Sequence, residues 1–148
     1  MKASSFVRAV VLGTAALILA ACSNDVGAAK LRKIKDDATR DAALAEMGKG
    51  AMTASGQDTI RLVNGFRRQL FTAEGTQHEV IWYREEPGHL ETAILKTTDT
   101  PVVIANGKFA GWGWRFYSKY AEQYKLPNPA REKAIIDSIS SAQSVKKP

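Results

Sequence analysis

The spacing of apolar positions changes several times along this chain. From Ala9 to Ala21 they run nearly unbroken, interrupted only by Gly13 and Thr14. Leu31, Ile34, Ala38, Ala42 and Ala45 then fall three and four residues apart, the spacing of one helical face. Thr39 is placed to cap a short helix over Arg40–Met47 by accepting a free backbone N–H, and Gly48 to end it in a left-handed conformation. The pattern predicts one bent helix or two short ones between residues 30 and 47. Residues 48–58 hold three glycines among Ser and Thr and read as a loop.

Beyond residue 59 the period shortens. Ile60, Leu62 and Phe66 are β-formers, Phe66 to Thr72 alternates imperfectly, and Ala73-Glu74-Gly75-Thr76 is a turn signal. A helix over 58–71 is an alternative, because Ile60, Val63, Phe66 and Leu70 share helical spacing, although Gly65 disfavours it. Glu79 to Arg84 is a strand by composition. Glu85-Glu86-Pro87-Gly88 marks a turn, and the Thr-rich residues 92–98 read as a further strand. Pro101 to Ala105 is a buried strand, and Asn106-Gly107 is a strong hairpin signal because both positions tolerate positive φ. Lys108 to Tyr117 is expected to return as its partner. Ala110, Trp112, Trp114 and Phe116 then share one face, and Gly111 and Gly113 the other, where they admit a close neighbour.

Tyr117 to Tyr124 reads as a helical turn or two. Leu126-Pro127-Asn128-Pro129 interrupts it, and Asn128 and Pro129 open a last helix to about Gln143, with a tail that frays by Pro148. The expected fold class is α+β: two short N-terminal helices packed on a three- or four-stranded antiparallel sheet, plus a C-terminal helix. In domain terms this gives a signal peptide (1–21), a lipidated tether (22–29), a small α+β domain (30–126), and the C-terminal helix with its tail (127–148).

Charge and composition refine the first segment most. Residues 1–21 carry Lys2 and Arg8, no acid, an apolar middle and small residues before Cys22, which is the pattern of a secretory signal. The apolar stretch is short for a spanning helix. Leu19-Ala20-Ala21-Cys22 resembles the bacterial lipobox, and Cys22 is the single cysteine of the 148 residues. The resemblance implies a diacylglycerol thioether on Cys22, cleavage before it and acylation of the new amino group. Two or more chains anchor stably. Ser23 directly after the cysteine resembles outer-membrane sorting rather than inner-membrane retention, a reading that Asp25 two positions on opposes in some lineages. Loss of residues 1–21 takes two basic residues from the 21, leaving 127 residues with 19 basic and 15 acidic groups, a net of +4. That modest excess does not point to nucleic acid. Lys30, Arg32, Lys33 and Lys35 form a local basic run, either a contact for lipid headgroups or a solvated helix face, and Asp36, Asp37 and Asp41 partly cancel it.

Two segments resemble the small outer-membrane lipoproteins of the SmpA/OmlA type and related uncharacterised lipoproteins. Ile34, Lys35, Thr39, Arg40, Leu44 and Gly48 stand at positions of that family's helix–turn–helix pattern. Asp37 stands where the pattern has its turn glycine, Ala38 where it has methionine, and Gly50 where it has proline. The aromatic strand VIWYR and the segment TPVVIANGKFAGWGW, within Val80 to Phe116, resemble the closing strands. The resemblance spans roughly residues 30–117 and implies two short helices on an antiparallel sheet; it carries no activity and no partner residues onto this chain.

Catalytic patterns are lacking in the sequence. There is no Gly-x-Ser-x-Gly elbow and no phosphate loop. His89 with Glu85, Glu86 and Glu91 reads better as a solvated acidic turn than as a metal site, and His78 adjoins a strand. No cofactor is expected. The aromatic set Trp82, Tyr83, Trp112, Trp114, Phe116, Tyr117 and Tyr120, with Arg84 and Arg115 among it, is either the core of a small sheet or a recognition face. As a face it would centre on Trp82, Arg84, Trp112, Trp114, Arg115 and Phe116. The expected role is a non-enzymatic lipoprotein on the periplasmic side of the outer membrane, held to lipid through Cys22 and binding another envelope protein as scaffold or assembly accessory. The alternative is a periplasmic ligand-binding or inhibitor module using the aromatic face. Intact mass of membrane-extracted protein checks the anchor: a chain beginning at Cys22 and carrying acyl groups is expected, and Cys22→Ser abolishes both features.

Overall fold

The computed structural model describes residues 24–53, 62–86 and 93–134. The elements are α1 (Ala28–Leu31), α2 (Arg40–Met47), β1 (Leu62–Val63), β2 (Phe66–Ala73), β3 (Thr76–Tyr83), β4 (Thr100–Ala105), β5 (Lys108–Trp112) and α3 (Trp114–Tyr124). Residues 129–134 are also helical. The signal segment, Cys22, Ser23, His89, Glu91 and the final helix beyond residue 134 lie outside the described residues.

The strands form one antiparallel sheet in sequence order, β1-β2-β3-β4-β5. Short turns explain the order. Asn64-Gly65, Glu74-Gly75 and Asn106-Gly107 each place two consecutive residues at positive φ, between 47° and 79°. That geometry matches the right-handed twist of flanking strands in a two-residue hairpin. Five strands therefore replace the three or four expected. The helix alternative for 58–71 fails where it can be seen, since Leu62–Val63 and Phe66–Ala73 are paired strands joined at Asn64-Gly65. Residues 93–98 are irregular or turn, so the strand expected over 92–98 does not form there, and β4 begins at Thr100.

Both faces of the sheet are covered. Ile81 and Tyr83 of β3, with Val102 and Ile104 of β4, pack against Leu31, Ile34, Ala43, Leu44 and Met47 from the N-terminal segments. Val80, Trp82 and Val103 pack against Trp114, Tyr117 and Ala121 of α3 on the opposite side. The N-terminal helices match the expectation only roughly: α1 is a single turn at Ala28–Leu31 and residues 32–39 are not helical, whereas α2 is capped as its sequence indicates. Thr39 accepts a bond from the Ala42 amide at 3.3 Å, and the Gly48 amide donates to the Leu44 carbonyl.

The long strand expected over Lys108–Tyr117 is corrected. Val103 pairs with Gly111 and Ile104 with Phe109, so Ala110 is the extra residue of a β-bulge. The bulge returns Trp112 to the face of the N-terminal helices. The chain leaves the sheet at Gly113, which precedes an eleven-residue helix. Trp114, Tyr117, Ala121 and Tyr124 recur at helical spacing, a signal hidden by the period-two look of AGWGWRF. The glycine-side expectation holds in part: the Phe116 ring of α3 lies where a Cβ on Gly111 would stand, within 2.6 Å.

The tether expected over 22–29 also shortens. Val26 packs on the N-terminal core, its carbonyl accepts the Thr100 hydroxyl at 2.8 Å, and Asp25 Oδ2 accepts the Trp114 amide at 3.2 Å. From Asp25 onward the chain belongs to the fold because these groups bind it to β4 and to the first turn of α3.

Two glycines separate backbone strain from crowding. Gly75 has φ 74° with nothing within 4 Å of an added Cβ, whereas at Gly27, also φ 74°, that Cβ would stand 2.1 Å from the Tyr83 ring. Gly75→Ala is expected to destabilise by about 1 kcal/mol through the left-handed penalty alone. Gly27→Ala is expected to lose about 2–4 kcal/mol, because displacement of a buried ring adds to that penalty. Urea denaturation of the two variants checks the difference.

Candidate functional site

The six residues of the expected recognition face are not gathered on one surface. Trp82 is buried by α3: its Nε1 donates to Gln69 Oε1 at 2.9 Å, and its ring lies 5.6 Å from Trp114 and 5.4 Å from Tyr117. Trp114 is 5% exposed and its Nε1 donates to the Asp99 carbonyl at 2.6 Å. Phe116 is half-buried beside Tyr120 on the same side of the sheet. Trp112 packs on the other side. Arg115 is exposed. The rings are thus divided between two cores, and their polar edges bond within the protein, as buried Trp and Tyr edges generally do.

Arg84 belongs to a buried ion pair. Its Nε and Nη2 donate to Asp99 Oδ1 and Oδ2 at 2.9 and 2.7 Å, and the two side chains are 9% and 5% exposed. Asp99 also accepts from the Leu95 amide and the Thr98 hydroxyl. One carboxylate therefore organises the segment leading into β4, and its own carbonyl holds the Trp114 indole. The strand signal read over 92–98 hid this arrangement, in which apolar and Thr residues wrap an acid.

Glu79 is a second buried acid, and sequence reasoning assigned it no role beyond opening a strand. It faces the α2 side of β3, where Arg40 donates through Nε and Nη2 to its two carboxylate oxygens and Arg68 approaches at 3.4 Å. Burial acts to raise the Glu79 carboxyl, and the hydrogen bond and charge of Arg40, with those of Arg68, outweigh it, so the group sits below the usual carboxylate range. The mark available in the sequence was a charged residue opening an otherwise apolar run.

His78 points to the α3 side. It is fully buried, with Nδ1 2.7 Å from the Tyr120 hydroxyl and Nε2 3.4 Å from the Ala73 carbonyl. Burial, with the neighbouring Tyr124, pushes the Tyr120 hydroxyl up to about 12. The arrangement ties α3 to β3. Glu85 and Glu86 are exposed. Among the described residues, no three of His, Cys, Asp and Glu converge as metal ligands.

A shallow cleft of about 210 Å³ opens at the end of the sheet where β3 finishes, lined by Lys30, Lys49, Gly50, Tyr83, Arg84 and Glu85, among others. The Lys30 ammonium lies 5.7 Å from the Tyr83 ring centroid. Of the basic run read in the sequence, Lys30 alone is placed in this cleft. Its chemistry is that of an open, polar, cation-bearing surface.

No helix among the described residues is long and apolar enough to cross a membrane. No protein family, curated protein or solved structure matches the chain significantly.

Removing one member of the buried pair leaves the other charge desolvated. Asp99→Ala is expected to destabilise by about 3–5 kcal/mol, measured by chemical denaturation. For Glu79, a lowered carboxyl contributes stability that is present above its unfolded value near 4.5 and is lost as pH falls through the lower folded value. A melting series from neutral pH downward is expected to show this acid limb. In Glu79→Gln the limb flattens, with a loss of about 1–2 kcal/mol at neutral pH, the half-exposed Arg40 keeping the figure modest.

Proposed function

We propose that this chain is a lipid-anchored, non-enzymatic protein of the Gram-negative envelope. It is held through acylated Cys22 at the periplasmic face of the outer membrane, and it serves as a scaffold or assembly accessory by binding another envelope protein. The observation that carries the reading is the lipobox-like Leu19-Ala20-Ala21-Cys22, with the single cysteine at the position that motif requires.

The fold adds support of a different kind. Asp37, standing where the SmpA/OmlA-type pattern has a turn glycine, has φ 57°, in the left-handed region that favours glycine. Asp and Asn tolerate that region better than other non-glycine residues, so the substitution keeps the turn. Short N-terminal helical segments on an antiparallel sheet resemble, in coarse outline, the architecture that the resemblance implies, with five strands in place of three or four. The Arg40–Glu79 pair, the His78–Tyr120 contact and the packing of Trp82 on Trp114 and Tyr117 join the helices to the sheet, and the Arg84–Asp99 pair ties β3 to the segment before β4. That use suits a rigid platform which acts through its surface. Binding of a small ligand by Trp82 and Trp114 has less in its favour, because both rings are core.

Crosslinking in intact cells followed by capture of the tagged chain tests the role. An envelope protein enriched over a Cys22→Ser control is expected. Recovery of no such protein, with the wild-type chain present and acylated, overturns the accessory role.

A further inference from the structure

The end of the sheet that carries Asp25 collects cations from four separate segments. β3 ends there at Tyr83, β4 starts there at Thr100, β5 ends there at Trp112, and α3 starts there at Trp114. Lys96 lies with its ammonium 5.9 Å from the Trp114 ring centroid, and Arg115 is the next residue of α3. Lys30 stands over Tyr83, the ring against which Gly27 packs, and Lys49 shares its cleft. All four basic side chains belong to exposed residues. Two of the acids at this end are bonded within the protein. Asp99 is paired with Arg84, and Asp25 accepts the Trp114 amide at the positive end of α3. Glu85 and Glu86 are exposed and oppose the cations in part. The hairpin tips Glu74-Gly75 and Asn106-Gly107 lie at the opposite end, the eight-residue strand β3 placing them roughly 25 Å away.

Covalent geometry limits how far this end can stand from an anchor. Three residue steps separate Cys22 from Asp25, and a fully extended chain of that length reaches about 11 Å. That is about one Debye length at moderate salt. A lipid on Cys22 therefore holds Asp25, and the first turn of α3 bonded to it, within about one Debye length of the surface, with Lys30, Lys49, Lys96 and Arg115 at the same end of the sheet.

We infer that this cationic end is a membrane-docking surface: it lies against anionic phospholipid headgroups and points the two hairpin tips away from the bilayer. The inference rests on the reading that Cys22 carries the lipid. Charge complementarity and the short tether select the occupant, since a lipid on Cys22 would bring this end and its four exposed cations to the bilayer, where anionic headgroups complement them. The field of anionic lipid acts on each of them. The docked orientation leaves the turn at Gly75, the turn at Gly107 and the exposed Leu70 of β2 free for a protein partner.

The test supplies the lipid chemically, so it does not depend on acylation in the cell. The chain from Cys22 onward is coupled through its single thiol to a maleimide phospholipid in nanodiscs that also contain a gadolinium-chelating lipid. Amide relaxation enhancement is then read by NMR in pure phosphatidylcholine and in phosphatidylcholine with phosphatidylglycerol. The expected result is stronger enhancement at Lys30, Lys96 and Arg115 than at Gly75 and Gly107, with a contrast that is several-fold larger when phosphatidylglycerol is present. High salt and the triple variant Lys30→Glu, Lys96→Glu, Arg115→Glu should each reduce it to the phosphatidylcholine level. The neutral variant Lys30→Gln, Lys96→Gln, Arg115→Gln should fall between, and unchanged thermal melting verifies the fold of both. A contrast that is equal in the two lipids and survives charge reversal reflects the tether alone and overturns docking. Docking in this assay together with an unmodified intact mass of the cellular protein would leave the surface standing and remove the anchored function.

Discussion

The third strand is buried on both faces, and the rest of the structure follows from that constraint. From His78 to Tyr83 no residue is exposed, so the sheet requires a cover on each side. One is built from α1 and α2 and the other from α3. The strand also carries two polar residues into these interfaces, and a buried polar group without a partner is costly. Each covering layer provides one partner. Arg40 from α2 meets Glu79, and Tyr120 from α3 meets His78. The apolar burial is non-directional and would tolerate several placements of the helices. The ion pair and the histidine contact define one placement for each.

The N-terminal segment closes this arrangement. Asp25 meets the first turn of α3, Val26 is bonded to β4, and Gly27 lies on the ring of Tyr83 from β3. These contacts join both faces of the sheet at one end, next to the buried pair of Arg84 and Asp99. A lipid attached at Cys22 would act on a rigid body at short range. That is a different situation from a domain on a long polar leash, where the anchor sets only a local concentration. With such an attachment, orientation and anchoring would be linked, and charge at this end would act on the surface in a way that the same charge elsewhere would not.

Local chemistry was legible wherever one residue type determines a backbone conformation. Thr39 caps α2 as expected, Gly48 ends it at positive φ but with ψ −152° rather than in the left-handed helical conformation, and Asn106-Gly107 turns the β4–β5 hairpin. Asn128 accepts the Arg131 amide at the start of the helical residues 129–134. Asn64-Gly65 had the same signal as Asn106-Gly107, but the helical spacing of Ile60, Val63, Phe66 and Leu70 competed with it. Strand pairing with β2 decides that competition, because the ladder bonds and the buried face of Phe66 become available only once β3 is in place.

The sequence by itself determined the α+β class, the place of α2 ahead of the strands, and the turns at Glu74-Gly75 and Asn106-Gly107, since those depend on propensities and periods acting over a few residues. It also holds the lipobox-like Leu19-Ala20-Ala21-Cys22, and the proposal of an anchor rests on that local pattern, which needs no fold to be read. Tertiary structure decided the faces. The bulge at Ala110 sends Trp112 to one core and Gly113 releases Trp114 to the other, so residues that alternate neatly in sequence end on opposite sides of the sheet. It also converted Arg84 from a surface candidate into the partner of Asp99 and gathered Lys30, Lys49, Lys96 and Arg115 at one end. Such groupings depend on distances between segments far apart in the chain, and no local period encodes them.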